Sequence, residues 1–407
     1  MRLSRLLALS LACLPLLAVA PPVQAEDEAA EAPAAAAGPL TITRDWKDNI
    51  KKKRSSALAK ERAAFWAEKV KSSDKDIYWL GWIWDMAKEK DKAIECFQAY
   101  LKIEGGNDTN REGSYTKIRE LYTEQKKYDE AIVAGKEVLK LYPGSRSAGA
   151  NWQDLARLHR RKGDTAAAEA AFRESIPLKR LTSLFDLVDI YLVAGDVAKA
   201  RAVMNEFREL FQKDAVKANF DMLEAFLGRV GGAAPSLDSA KPIAAPSQAE
   251  ELPPAEGEQP AAAPAAPALE KAYGGKPTLL YHLDHRAMML DVRLRNLKNT
   301  RSVLGESARV LGLASLKKFD VFTQKEDTTL TAEGETDRIG AWLEKNGQGA
   351  QALLLDEAGV SAFGLRWPGQ MILVDREGKL RWMRLNDENN DGYDWVCAQE
   401  AVKKLGG

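Results

Sequence analysis

Cysteine and histidine are scarce in this chain, three of each in 407 residues. That leaves little material for a zinc site, and a Ser/His/Asp triad would have to use His159, His282 or His285, around which nothing supports one. No phosphate-cradling glycine loop, dinucleotide fingerprint or serine nucleophile elbow occurs. An excess of one charge is also missing: 59 lysines and arginines balance 59 aspartates and glutamates. That balance argues against nucleic acid or an anionic membrane as the partner. Long apolar runs are absent as well. The longest, Leu6–Ala20, has 15 residues and falls short of the roughly 20 that span a bilayer as a helix.

That run has another reading. Arg2 and Arg5 precede it, and Val23-Gln24-Ala25 follows it, with Glu26 next. Residues 1–25 therefore read as a secretory signal peptide cleaved after Ala25, placing the chain in a bacterial periplasm or outside the cell. Cys13 lacks the leucine three residues earlier that a lipoprotein signal would carry. Cys96 and Cys397 then remain, in different segments, so no disulfide framework is expected in the oxidising compartment. They read as small half-buried apolar residues in helices.

Composition divides the rest. Residues 26–44 open with an Ala/Pro/acidic stretch, and residues 231–270 repeat it with 13 alanines, 8 prolines and no aromatic. Such segments bury too little apolar surface to offset their ordering entropy, so 26–44 and 231–270 are expected to be disordered, the second as a linker. It separates a helical region, 45–230, from a C-terminal region, 271–407.

The helical region repeats. Ala93, Ala131, Ala168 and Ala200 each open a second helix, at spacings of 38, 37 and 32. Phe97, Phe172 and Met204 follow four residues after their alanines, with Gly135 the exception. First helices carry Leu80-Gly81 with Trp84, Ile118 with Tyr122, Leu155-Ala156 with His159, and Leu187 with Tyr191. This pattern resembles the tetratricopeptide repeat, a helix–turn–helix unit of about 34 residues. The resemblance implies a solenoid of four units, capped by Lys217–Val230 and by one or two amphipathic helices in Asp45–Lys71.

In such arrays the concave face binds extended peptides. The family's groove positions fall on Tyr78, Trp82 and Asp85, on Thr116, Glu120 and Thr123, on Gln153, Arg157 and Arg160, and on Thr182, Phe185 and Asp189. Arg157 and Arg160 share a helix face and could clamp a carboxylate, or His159-Arg160-Arg161 could be a solvated helix end. Trp79, Trp82 and Trp84 cannot all face one way, so packing claims some of them.

The C-terminal region changes period. Strands are expected at Thr278–Leu283, Phe319–Phe322 and Ala352–Asp356, then a hairpin of Gln370–Asp375 and Leu380–Leu385. Helices are expected at Met288–Val310, Thr336–Lys345 and Trp395–Leu405. The order predicts an α/β fold, a mixed sheet with flanking helices. The run Leu354-Leu355-Asp356, Ala362-Phe363-Gly364-Leu365, Pro368 and Ile372 to Leu380 resembles secreted thioredoxin-like proteins of the TlpA type. The resemblance implies a cis Pro368 beside a redox site.

That family's chemistry needs two cysteines at a helix N-terminus, which lowers the thiol pKa. Here those positions fall near Ala287 and Leu290, and no cysteine lies between Cys96 and Cys397. Dithiol exchange is therefore absent, leaving a vestigial surface of Ala287, Leu290, Trp367 and Pro368 as a redox-inactive binding site. The alternative is a divergent thioredoxin-like oxidoreductase of envelope thiol homeostasis that uses Cys397 or a partner's thiol.

Two smaller clusters remain. His282, Asp284 and His285 do not share a strand face, which favours a structural role over a metal. Asp387, Asn389 and Asp391 with Gly392 match the start of a calcium loop, but Ala398 stands where a bidentate glutamate belongs, so any calcium binding would be weak. No other cofactor is expected. The chain reads as an exported interaction protein or scaffold with a protein or peptide partner in the cell envelope, a pseudoenzyme in its C-terminal half.

Overall fold

A computed structural model describes residues 41–212, 214–237, 239–243, 275–284, 301–347, 352–365, 369–385 and 393–406. The helical half starts with α1 (Ile42–Arg44), which runs through a π-helical stretch, Asp45–Ile50, into α2 (Lys51–Lys53). Next come α3 (Ser56–Ala67) and the pairs α4 (Ile77–Met86) with α5 (Lys90–Leu101), and α6 (Asp108–Glu124) with α7 (Tyr128–Leu141). The pairs α8 (Ala148–Arg161) with α9 (Thr165–Ser175), and α10 (Leu181–Val193) with α11 (Val197–Phe207), follow, and α12 (Asp214–Leu227) closes the stack.

The turns explain why the chain folds in pairs. Left-handed residues stand at Arg54, Lys88, Lys126, Gly163 and Gly195, each five residues before Ala59, Ala93, Ala131, Ala168 and Ala200. All five alanines are completely buried where two helices cross. In four turns the next N–H donates back to close the first helix: Glu89 to the Trp84 carbonyl, Lys127 to Tyr122, Asp164 to His159 and Asp196 to Tyr191, at 2.8–3.0 Å. Asp164 and Asp196 then cap the second helix, accepting from the N–H groups of Ala167 and Lys199.

Ala59 lies 34 residues before Ala93. A fifth helix pair, built from the 42–53 helices and α3, therefore stands in phase with the four expected ones, where the sequence pattern indicated only capping helices. It lacks the Leu-Gly pair and has an arginine at its turn, which hides it from a search for small residues.

Lysine at a left-handed position costs about 1–2 kcal/mol that glycine avoids, less the extra chain entropy glycine loses. Lys88→Gly and Lys126→Gly are each expected to stabilise the chain by about 0.5–1 kcal/mol, and Gly195→Ala to destabilise it by about 1 kcal/mol. Urea unfolding midpoints check this; lower midpoints for both lysine variants would contradict it.

Two other glycines are steric requirements. A Cβ on Gly81 would come within 2.9 Å of the Phe97 ring, so α4 and α5 approach closely there. At Gly135 it would meet the Arg119 side chain at 3.4 Å, so in this unit the arginine stem fills the space that Phe97, Phe172 and Met204 fill in theirs.

The C-terminal half is a six-stranded sheet with helices. Its elements are β1 (Lys241–Ile243), β2 (Thr278–His282), β3 (Arg309–Ala314), a small hairpin of β4 (Phe319–Asp320) and β5 (Lys325–Glu326), and α13 (Ala332–Gly347). After them come β6 (Ala352–Leu354), α14 (Glu357–Ala362), β7 (Met371–Val374), β8 (Leu380–Arg384) and α15 (Tyr393–Leu405). The sheet order is β1-β6-β3-β2-β7-β8. β3 runs parallel to β2 and β6, while β7 is antiparallel to both β2 and β8. Every residue of β2 is buried, as a central strand covered on both faces requires.

Four expectations change. The disorder expected through residue 44 does not extend over Ile42–Arg44, which form α1 because Ile42 is a buried core residue. The helix expected to reach Val310 gives way to β3, because the apolar run Val310–Ala314 reads equally as helix or strand. The strand expected at Phe319–Phe322 shrinks to the two residues of β4, paired with β5 outside the main sheet. The linker expected from Gly231 is ordered in its first part. Gly231 donates to the Leu380 carbonyl, Ala233 bridges Lys379, and β1 pairs with β6 at the opposite sheet edge. Leu237 and Ala240 are buried between those two edges, apolar anchors that a 40-residue compositional average conceals.

One apolar core runs from Ala156 and Phe172 of the repeats to Cys397 and Val402 of α15. The two halves are packed against each other, where the sequence suggested separate bodies on a flexible strap.

Candidate functional site

The first helices of successive pairs are joined by a ladder of charges. Arg119 of α6 donates to Asn151 at 2.9 Å and meets Asp154 at 2.5 Å on α8. Arg157 of α8 meets Asp186 of α10 at 2.9 Å, and Arg160 meets Asp189 at 2.5 Å. Lys117 of α6 reaches back to Asp85 of α4 at 3.3 Å and along its own helix to Glu120 at 2.7 Å.

Around the first two expected units, the groove residues gather on Lys117. Its ammonium lies 4.4 Å from the centre of the Trp82 ring, which also packs against Trp46 at 5.8 Å. Burial works against the charge of Lys117, but Glu120 and Asp85 outweigh it and raise its pKa. Glu120, Trp82, Asp85, Thr116 and Thr123 are all partly exposed. Tyr78 is different: it is buried among Trp79, Phe97 and Tyr100, with its hydroxyl against Gly113. It is a packing residue, since an aromatic facing four ring neighbours, Trp82 among them, presents nothing outward.

The next two units are closed. Gln153 is buried, donating to Thr182 and accepting from Arg180, while Phe185 packs on Phe220 of α12. Arg157, Arg160 and Asp189, expected on an open concave face, are at most 5% exposed because β8 and α15 lie over them. Arg157 and Arg160 therefore neither clamp an outside carboxylate nor form a solvated helix end; they are already paired with aspartates.

The covering elements contribute matching groups. Trp382 of β8 donates its indole N–H to Asp189 at 2.5 Å. Arg384, two residues on, meets Asp186 at 2.7 Å and Asp394 of α15 at 2.7 Å. Glu400 of α15 meets Arg160 at 3.1 Å, and Arg160 also donates to the Tyr393 hydroxyl at 3.3 Å. The Tyr393 ring lies 4.8–5.7 Å from the guanidinium carbons of Arg157, Arg160, Arg161 and Arg384.

This buried network has distinct protonation states. Burial alone would raise Asp186, but Arg157 and Arg384 hold it below the ordinary carboxylate value. Burial dominates at Asp394 and pushes it up to about 6 despite Arg384. Glu400 stays below its ordinary value because Arg160 and Lys404 outweigh its burial. Burial pushes the thiol of Cys397 far up and that of Cys96 up to about 12, so neither forms a thiolate at neutral pH.

Sequence reasoning missed Arg119, Asp186, Trp382, Arg384 and Tyr393. A signal existed for the first two: in Arg119/Asp154, Arg157/Asp186 and Arg160/Asp189, a base precedes an acid by 35, 29 and 29 residues, about one repeat. Ala287, Leu290, Trp367 and Pro368 lie outside the described residues, as do His285, Asp387, Asn389 and Asp391. His282 and Asp284 are buried at the end of β2, with the His282 backbone paired to Gly369 and Gln370. Among the described residues, no cluster of metal-ligating side chains occurs, and no helix is long and apolar enough to cross a membrane.

One family model matches part of the helical half. A tetratricopeptide repeat model matches residues 150–180, the α8–α9 pair. A crystal structure of nearly identical TPR-like repeats, described as those of a kinesin light chain from Podosopora anserina, is 16% identical. It covers 41% of this chain and 90% of its own, with a TM-score of 0.33. A point variant of that protein gives 17% identity, the same coverage and a TM-score of 0.32. No curated protein matches this chain. The chain thus contains a tetratricopeptide repeat within a helical solenoid, and a separate mixed sheet. Such repeats suggest a protein–protein interaction role.

Proposed function

We propose that the chain is an exported interaction or scaffold protein, whose repeats bind a partner protein or peptide of the cell envelope through the face around Trp82 and Lys117. The observation that carries this reading is the contrast between the two ends of the groove. Around Lys117, Trp82, Asp85 and Glu120 keep partial solvent access, whereas Gln153, Arg157, Arg160 and Asp189 are buried. Export rests on the pattern of residues 1–25.

The C-terminal half is read as a redox-inactive thioredoxin-like domain that contributes a second surface. Support comes from the order β6-β3-β2-β7-β8, with a parallel centre and a terminal antiparallel hairpin followed by a helix. The oxidoreductase alternative loses ground to the burial of Cys397. Weak calcium binding at Asp387, Asn389 and Asp391 stays a proposal from sequence, tested by titration calorimetry at millimolar calcium.

The test is affinity capture from the native envelope with the wild-type chain and with Trp82→Ala/Glu120→Arg. Prey recovered by the wild type is expected to drop at least tenfold with the variant at unchanged helicity. Equal recovery would remove this face as the binding site.

A further inference from the structure

The buried network between the halves has a property that a permanent joint does not need. Each half keeps its own charges paired. In the repeats, Arg157 pairs with Asp186 and Arg160 with Asp189. In the C-terminal half, Arg384 pairs with Asp394, and Lys404 with Glu400. The bonds that cross, Trp382 to Asp189, Arg384 to Asp186, and Arg160 to Glu400 and Tyr393, are additional to these. Separation would return polar groups to water without stranding any of these charges.

One crossing donor is also unsaturated: Arg384 Nη2 lies within ion-pair range of Asp186 but out of hydrogen-bond alignment, as Arg160 Nη2 does with Asp189 inside the repeats. The apolar core that also joins the halves would hold two permanent surfaces without these ion pairs, which repay their desolvation poorly when buried.

The crossing bonds define a ligand chemistry too. Trp382 and Arg384 are two apart on β8 and so share a face. They meet Asp189 and Asp186, three apart on α10 and likewise on one face. The indole N–H and the guanidinium are donors, and both receptors are carboxylates.

Resting on the reading of the repeats as a partner-binding array, we propose that the C-terminal half is a displaceable internal occupant of the groove between α8 and α10, which when vacated takes an extended segment of a partner presenting an indole and a guanidinium two residues apart. The covered groove is then an autoinhibited second binding face, distinct from the one around Trp82.

The probe is a fluorescein-labelled peptide of residues 378–385, Gly-Lys-Leu-Arg-Trp-Met-Arg-Leu, titrated by anisotropy into the full chain. Against Trp382→Ala/Arg384→Ala, whose own occupant is disabled, the peptide is expected to bind at least tenfold tighter than to the wild type. Adding Asp186→Asn and Asp189→Asn should abolish that gain. Equal affinity for the wild type and the opened variant, or no binding to either, overturns the proposal. Should the opened variant lose its helical signal, hydrogen exchange of the wild type decides. Exchange of α8, α10 and β8 through an opening well below global unfolding supports displacement, and exchange only through global unfolding overturns it. A failed peptide experiment with partner capture intact removes the occupant and leaves the array reading standing; loss of all capture removes the array reading itself.

Discussion

Arg384→Ala is expected to destabilise the chain by about 3–5 kcal/mol, the usual result of removing one member of a buried ion network. The guanidinium is 2% exposed and stands between Asp186 and Asp394, 2.7 Å from each. Removing it has unequal consequences for the acids it serves. Asp186 retains Arg157 and Asp189 retains Arg160. Asp394 loses the guanidinium that offsets its burial and is driven further toward its neutral form. The loss should therefore concentrate on β8 and α15, appearing in urea melts as an early transition of the C-terminal half ahead of the repeats. Arg384→Met/Asp394→Leu, which removes both charges, is expected to recover most of the loss because no buried charge is then left uncompensated. A loss below about 1 kcal/mol for the single variant would mean that water reaches the network freely.

The two halves of the network differed in how far the sequence revealed them. Helix pairs were visible because Ala93, Ala131, Ala168 and Ala200 must be small where helices cross, a local requirement written at fixed spacing. The same requirement at Ala59 passed unnoticed, since its partners Ala63 and Trp46 do not resemble Phe97 and Leu80. Groove positions were legible as a helix face, but a face says nothing about what covers it. Arg160 was placed correctly on α8, yet its contacts Tyr393 and Glu400 lie 233 and 240 residues away. Likewise, β8 was expected as a strand, while the packing of Trp382 and Arg384 against α10 follows only from the way the two halves meet. The ordered stretch from Gly231 to Ile243 was hidden by the alanine and proline around it. Its hydrogen bonds go to Leu380 and to β6, partners that no local pattern names.

Protonation of Asp394 between pH 7 and pH 5 should stabilise the folded chain, against an opposing contribution from His159, whose pKa burial holds below its ordinary value. Burial lifts the Asp394 carboxyl from an ordinary 3.8 to about 6, while Arg384 of β8 and Arg157 of α8 pull it down and Asp186 of α10 pushes it up. Between those values the folded chain holds a proton that the unfolded chain has released. Stability therefore falls as pH rises through this window, by at most about 3 kcal/mol for a shift of this size. Asp45, Asp186 and Glu400 act the other way. Their carboxyls sit below their ordinary values, so what they contribute is present at neutral pH and is lost on stronger acidification. Asp394→Asn should remove the decline between pH 5 and pH 7 while leaving the acid limb in place. Urea midpoints at half-unit pH steps for both proteins test it, and parallel profiles would show that Asp394 stays ionised beside Arg384 across the range. If the decline is present, it should coincide with faster hydrogen exchange in β8 and α15, because the proton on Asp394 favours the packed arrangement of the two halves over the separated one.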